Sequence, residues 1–291
     1  MSWIALALIC AFALASADAA TKAWLQDLTA SELLVVRFCI PALLMTPLLS
    51  GMPPITELPW AFWGWMGVML PLEMAAMWLY ATAIRDHPLS LTLPYLAFTP
   101  VFVIGVAWLL LGEQISARGV LGILLVVAGA WLLNSDHAHW RHWRGWIAPF
   151  VAIFDAPGAR MMLGVATLYA LTATLGKGAM RYLPPESFGA FYFALLGITV
   201  AVFVVLPRPS RLRGLARHPW AVLLVGGGLG VMVFTHFLAI QQVEVAYMIA
   251  VKRTSLLFGI LYGALCFREP GLSRRLPAGV LMLAGVVLIV I

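Results

Sequence analysis

Two adjacent cations, Lys252 and Arg253, lie inside an apolar stretch of the sequence. At about 1.5 Å per residue of helix they lie about 12 Å from its nearer end, where an ionisable group in lipid costs about 3 kcal/mol unless it is paired or hydrated. Neighbouring residues point about 100° apart on a helix, so one acid does not pair with both cations. Because Glu73 is the one acid placed at comparable depth, about one positive charge remains for the carboxylate or phosphate of a ligand. The alternative is that one cation reaches the end of the stretch or binds main-chain carbonyl groups.

Other polar and aromatic side chains in the apolar stretches could complete a ligand site around these cations. His236 can titrate near neutral pH and couple protons, although a lone histidine in such a stretch is more often a hydrogen-bonded core residue. The aromatic side chains would form an apolar wall. The predicted ligand-binding residues are Lys252, Arg253, Glu73, His236, Tyr80, Tyr95 and Trp78.

Asp18 and Arg37 form a second candidate group, each about 9 Å from the same end of its stretch at about 1.5 Å per residue. They can form an ion pair, with Lys22 competing for Asp18 from four residues away. Such a pair either fixes the first helix against the second or, together with Glu73, takes part in gating or proton coupling.

Membrane-spanning helices must position these residues. The 291 residues are 63% hydrophobic and 10% charged, and apolar blocks of about 20 residues cross a bilayer as helices because lipid offers no partner for bare N–H and C=O groups. The sequence therefore predicts an all-α membrane protein with ten transmembrane helices. We count ten blocks, at 3–24, 31–49, 60–84, 89–111, 117–134, 160–180, 187–206, 219–241, 245–267 and 273–291.

The sequence is also a twofold repeat. The run Leu109–Leu133 aligns without a gap on Leu265–Ile289, so that Glu113 falls on Glu269, and a looser match places Lys22 on Lys177. Five helices per half is an odd number, so the second repeat should be inverted in the membrane, with a central cavity between the repeats. We predict a first repeat at 1–134, an interfacial linker at 135–159 and a second repeat at 160–291.

Helix breakers gather near the predicted site. Pro71 precedes Glu73 by two residues, and Pro94 and Pro100 lie inside the fourth block. The ninth block has no proline, and the run 253–255 occupies the equivalent place. Interruptions at mid-membrane free carbonyl groups and shape a cavity or hinge, although a plain packing kink is the alternative.

The distribution of positive charge predicts an orientation. Twelve Lys and Arg residues fall on the side opposite the termini and two on the side of the termini. Because positive loops stay in the cytoplasm, both termini should lie outside. Membrane anchoring then explains the net charge of +6 without a nucleic-acid partner. The stretch His137–Trp146 is interpreted as an interfacial segment, with an RNA-binding or metal site as the alternative.

Several of these features resemble the EamA branch of the drug/metabolite transporter superfamily. They are the run Leu110–Glu113 at the end of the fourth helix, the Ala-Gly pairs at 128–129 and 284–285, and the segment Val251–Glu269. The resemblance implies a multi-pass inner-membrane protein that works by alternating access and exports small metabolites. Characterised relatives place both termini in the cytoplasm, in contrast to the charge distribution here. The cavity lining that the resemblance implies includes Asp18, Glu73, Tyr95, His236 and Lys252.

The leading functional hypothesis is a secondary active exporter of a carboxylate-bearing amino acid or organic anion. Lys252 and Arg253 would hold the acidic group, and Glu73 would receive an amine or the coupling proton. The alternatives are proton-coupled multidrug efflux through Glu73, a membrane enzyme, or an assembly subunit without a substrate. No catalytic residue, metal or cofactor is expected. The expected partners are a small-molecule substrate, a coupling proton and the lipid bilayer, and a homodimer is left open.

Overall fold

The computed structural model describes residues 1–87, 94–134, 156–209, 212–268 and 272–291. These residues form helices and connections, with no strand among them. Seven helical spans in the described ranges are long and apolar enough to cross a bilayer, and two shorter apolar helices accompany them. The chain is therefore a multi-pass membrane protein.

The α-helices follow one another along the chain with short breaks. They are α1 (Trp3–Trp24), α2 (Ala30–Leu34), α3 (Ile40–Leu44), α4 (Trp60–Asp86), α5 (Thr99–Leu111), α6 (Ala117–Asn134), α7 (Pro157–Ala179), α8 (Pro185–Val200), α9 (Leu212–Leu215), α10 (Pro219–Gln242), α11 (Val245–Lys252), α12 (Ser255–Leu265) and α13 (Leu272–Val290). Turns of π-helix cover Val35–Cys39 and Ala201–Val205, and 3₁₀ turns cover Thr46–Gly51 and Ile55–Glu57.

Most of the predicted blocks correspond to helices, but the block at 31–49 is not a single one. It consists of α2, a π turn, α3 and the 3₁₀ turn Thr46–Gly51. Pro41 and Pro47 explain the breaks, because each lacks the N–H that would continue the ladder of the preceding turn. In the π turn the N–H of Ile40 bonds to the carbonyl of Val35 instead.

The break expected near Pro71 is absent, since α4 runs through this proline without interruption. A membrane helix tolerates an internal proline where neighbouring groups satisfy the carbonyl that it frees. Pro71 therefore does not interrupt the helix beside Glu73, and of the two interpretations of this proline only the packing kink remains.

Two other interruptions lie where they were predicted. The Pro94–Leu111 span contains a turn at Ala97 and Phe98, and the Val245–Leu265 span contains a turn at Arg253 and Thr254. These turns fall on each other in the repeat alignment. Both halves of the sequence thus encode the same break, one with prolines and the other without.

The chain forms two compact units, and each takes helices from both sequence halves. The first unit comprises Met1–Pro59, Met180–Val243 and Thr254–Pro270, and the second comprises Trp60–Ala179, Glu244–Arg253 and Gly271–Ile291. In the first unit α1 packs against α10 and α12, and in the second α7 packs against α4 and α5. These helices correspond pairwise in the repeat, so each unit contains the same packing arrangement. The inverted membrane topology stays a prediction.

Glycines bring α6 and α13 into close contact within the second unit. A Cβ atom on Gly122 would lie 2.8 Å from the carbonyl oxygen of Gly285, and one on Gly129 would lie 2.6 Å from that of Ala278. The repeat alignment places Gly122 on Ala278 and Gly129 on Gly285. The two contacts are therefore equivalent, and small residues allow the backbones to approach.

Candidate functional site

The interruption of the Pro94–Leu111 span begins with a missing donor. In a continuous helix the carbonyl of Leu96 would accept from the N–H of residue 100, but Pro100 has none. The hydroxyl of Thr99 donates to this carbonyl at 2.7 Å. A carbonyl oxygen has two lone pairs, so Leu96 can accept a second hydrogen bond.

Arg253 supplies that second bond from the interruption of the Val245–Leu265 span. Its Nη2 donates to the Leu96 carbonyl at 2.9 Å and to the Thr99 hydroxyl at 2.8 Å. The Nε atom is buried and has no acceptor among the described residues. Arg253 thus donates to a main-chain carbonyl group, which is the contact named above as the alternative to binding a ligand.

Lys252 differs from its neighbour. It is the last residue of α11 and is half-buried. Within the described parts of the chain its ammonium group has no hydrogen-bond acceptor and no carboxylate within ion-pair distance. Of the two predicted cations, Lys252 is therefore the one whose charge the described side chains leave uncompensated.

Four other predicted residues lie in the same unit as the two cations, and three of them are at least half-buried. Tyr95 is 3% exposed and its ring meets that of Trp131 edge to face at 5.0 Å. Tyr80 is partly buried against a hydrophobic cluster that contains Tyr95 and Met162, and Glu73 is half-buried on α4.

The remaining predicted residues do not join this buried group. Trp78 belongs to the second unit but is 70% exposed, so it does not form part of a buried wall. His236 belongs to the first unit, where it is half-buried and its ring packs edge to face on that of Phe237 at 5.0 Å. The stretch His137–Trp146 lies outside the described residues.

The predicted pair of Asp18 and Arg37 is present. Arg37 Nη1 donates to Asp18 Oδ1 at 2.8 Å, with the side chains 35% and 52% exposed, respectively. Arg37 lies within the π turn Val35–Cys39, so the pair joins α1 to the segment that follows it. Lys22, the expected competitor, lies over the ring of Phe267 at 4.7 Å from its centroid.

A second ion pair, between Lys177 and Glu113, is more deeply buried and was not predicted from the sequence. Lys177 Nζ donates to Glu113 Oε1 at 2.6 Å, and the other oxygen of Glu113 accepts the N–H of Val245 at 2.8 Å. The side chains of Lys177 and Glu113 are 21% and 10% exposed. Glu113 thus joins the connection after α5 to the end of α7 and the first residue of α11. Its carboxylate also complements the positive end of the α11 dipole.

A third pair, outside the membrane spans, joins the connection after α1 to the start of α10. His218 Nε2 lies 2.9 Å from Asp27 Oδ2. The hydrogen bond from His218 is the main cause that lowers the pKa of the Asp27 carboxyl below its usual range. Both side chains are exposed, so this contact depends on pH and salt.

Known proteins share this architecture. A solved crystal structure of a protein superposes with a TM-score of 0.75 over 99% of this chain and 98% of its own, at 16% sequence identity. An identity this low shows a common fold.

Curated relatives match a shorter part of the chain. "Probable 4-amino-4-deoxy-L-arabinose-phosphoundecaprenol flippase subunit ArnE" of Enterobacter sp. (strain 638) is 32% identical over 73 residues, which are 25% of this chain and 68% of the relative. The protein of the same description from Salmonella typhimurium (strain LT2) is 32% identical over 71 residues, 24% of this chain and 64% of the relative. This chain thus spans about two thirds of the length of these relatives.

A family model covers nearly the whole chain in two copies. The model of the EamA-like transporter family matches residues 1–135 and again residues 156–291. The two matches coincide with the two halves of the sequence repeat, and they agree with the helical, membrane-spanning fold. The chain therefore belongs to the EamA-like transporter family.

Proposed function

We propose that this transporter is a secondary active exporter of a small metabolite that carries a carboxylate or phosphate group. The observation that carries the proposal is Lys252, a half-buried cation that the described side chains leave uncompensated at the interruption of a membrane span. A cation inside a membrane protein is costly unless it is paired or hydrated, and a ligand that brings a negative charge removes that cost.

The curated relatives support an anionic ligand. Their printed name describes a phosphoundecaprenol derivative of an amino sugar, which is a molecule with a phosphate and an amine. Lys252 would take the acidic group as a point charge, and Glu73 would receive an amine or the coupling proton. Tyr80 and Tyr95 would shape the apolar part of the site.

Alternating access in two inverted repeats accounts for the transport cycle. Secondary transporters built from such repeats move one bundle against the other around a site near the middle of the bilayer. The pair of Asp18 and Arg37 would act as a gate, since its half-exposed side chains can separate at low cost in free energy.

Ligand-induced thermal stabilisation of the purified protein tests the proposal. A ligand at 100 times its Kd stabilises the folded protein by about 2.7 kcal/mol. The panel contains amino acids, dicarboxylates and sugar phosphates, each beside its amide or its dephosphorylated analogue. We expect an anionic compound to raise the Tm of the wild type, a smaller rise in Lys252→Arg, and none in Lys252→Met.

Arg181→Met is the matched control, because Arg181 is an exposed cation without a partner among the described residues. It should keep the full ligand-induced rise in Tm. The proposal fails if Lys252→Met responds like the wild type or if no anion stabilises any variant. Stabilisation by cationic drugs that Glu73→Gln abolishes, with Lys252→Met unaffected, would establish multidrug efflux instead.

A further inference from the structure

We infer that Arg253 is a positioning residue and not a ligand of the substrate. It fastens the interruption of the Val245–Leu265 span to the interruption of the Pro94–Leu111 span and so fixes the direction in which Lys252 is presented. The inference rests on the proposed function, because it assigns separate roles to two cations that the sequence treats as one site.

The first step is the hydrogen-bonding geometry of the guanidinium group. Arginine grips a carboxylate or phosphate with two parallel N–H bonds, either from Nη1 and Nη2 or from Nε and Nη2. Nη2 takes part in both arrangements. In Arg253 this nitrogen already donates to the Leu96 carbonyl and the Thr99 hydroxyl. A two-pronged grip on a substrate would have to share Nη2 with these two acceptors, so the substrate would compete with α5 for the guanidinium group.

The second step is the origin of the acceptors. Pro100 leaves the Leu96 carbonyl without its helical donor, and the Thr99 hydroxyl donates to that carbonyl while it accepts from Arg253. The hydrogen bond from Arg253 polarises the Thr99 hydroxyl, and this strengthens the bond that the hydroxyl donates to the Leu96 carbonyl. A carbonyl group freed inside a membrane needs a donor. Pro100 frees the Leu96 carbonyl in one span, and Arg253 of the other span donates to it together with Thr99.

The third step is the place of Arg253 in the chain. The polypeptide passes from one compact unit to the other between Arg253 and Thr254, within a candidate membrane span. Of the four other crossings, those at 59/60, 179/180 and 243/244 lie at helix ends or in connections, and the one at 270/271 falls outside the described residues. Arg253 therefore holds the α11 side of the break to α5, and Lys252, one residue earlier, is held in place with it.

Amide hydrogen exchange of the full-length protein in detergent tests this role without any ligand. Thr99→Val removes the hydroxyl and keeps both charges, and Arg253→Lys keeps the charge and loses the planar fork. We expect both variants to raise exchange about tenfold or more in peptides that cover 94–102 and 250–258, the factor that corresponds to ~1.4 kcal/mol of local opening. Lys252→Met is the control, and its exchange should match that of the wild type in these peptides.

Uptake into proteoliposomes then separates positioning from binding, with succinate and inorganic phosphate as simple anionic probes. Thr99→Val and Arg253→Lys should raise KM by similar factors, because both variants release the side chain that holds Lys252 in place, and Lys252→Met should raise KM further. The inference is overturned if Arg253→Lys retains the transport and the amide exchange of the wild type, or if Thr99→Val changes neither measurement. If neither anion is transported by any variant, the proposed substrate class fails, while the exchange result still decides whether Arg253 joins the two interruptions.

Discussion

The pair of Glu113 and Lys177 gives the sharpest test of how this fold is held together. In Glu113→Ala the ammonium group of Lys177 loses its bond to this carboxylate in a largely buried site, and the N–H of Val245 loses its acceptor. Breaking a buried ion pair costs about 3–5 kcal/mol, and losing a cap of this kind costs about 1 kcal/mol. Because the lysine side chain is 21% exposed, water offsets part of this cost. We therefore expect a loss of about 3–4 kcal/mol in the free energy of unfolding.

A double-mutant cycle separates the pair from the cap. Lys177→Met removes the cation and leaves Glu113 with its bond to Val245, so its cost should be smaller than that of Glu113→Ala. The double variant should be less unstable than the sum of the single variants by about 2 kcal/mol, because each single change already removes the interaction between Glu113 and Lys177. Reversible unfolding in mixed detergent micelles measures all three free energies. The exposed Arg181→Ala is the control and should change stability by less than about 0.5 kcal/mol. Additivity of the two single changes within that margin would refute the assignment of a buried pair.

Two further predictions concern helix contact and pH. Gly122→Ala should destabilise the protein by about 1–3 kcal/mol, since its Cβ would meet the carbonyl of Gly285, whereas Gly105→Ala, with open space around it, should be neutral or stabilising in the same unfolding assay. The carboxylate of Asp27 stabilises the fold at pH values above its ordinary pKa, because the hydrogen bond from His218 lowers the pKa in the folded state. That contribution is lost as the pH falls through the lowered pKa, so the difference in Tm between the wild type and Asp27→Asn should persist from neutral to mildly acidic pH and vanish in strong acid. A difference that grows as the pH falls would contradict this assignment.

The sequence predicted most of the helical blocks and two of their breaks because both follow from local chemistry. Apolar length fixes where a helix can cross a bilayer, and the prolines of the fourth block remove backbone donors wherever they stand. The break at Arg253 had no proline to mark it, and the repeat alignment located it instead. Pro71 shows the limit of this reasoning, since the surroundings of a proline determine whether the helix continues.

The partners of the charged side chains were harder to predict. Depth along a helix placed Lys252 and Arg253 together, but only the tertiary structure shows that Arg253 is directed at Leu96. Glu113 and Lys177 lie near helix ends, so depth along a helix did not identify them as charges that need a partner. A usable signal was present, because each has a charged counterpart at the equivalent position of the other half, in a chain with few charges.

The interleaving of the two halves bears on how such a chain can vary. A protein made of one half alone would need a second molecule to supply the helices that complete each compact unit. If both copies came from one gene, every substitution would appear twice, and a Lys-Arg pair in one copy would be matched by a pair in the other. A single polypeptide with both halves escapes that constraint, so Leu96 and Ala97 can remain apolar opposite Lys252 and Arg253 in the alignment. Joining both halves in one polypeptide therefore permits an asymmetric distribution of charge on a scaffold that is otherwise twofold symmetric.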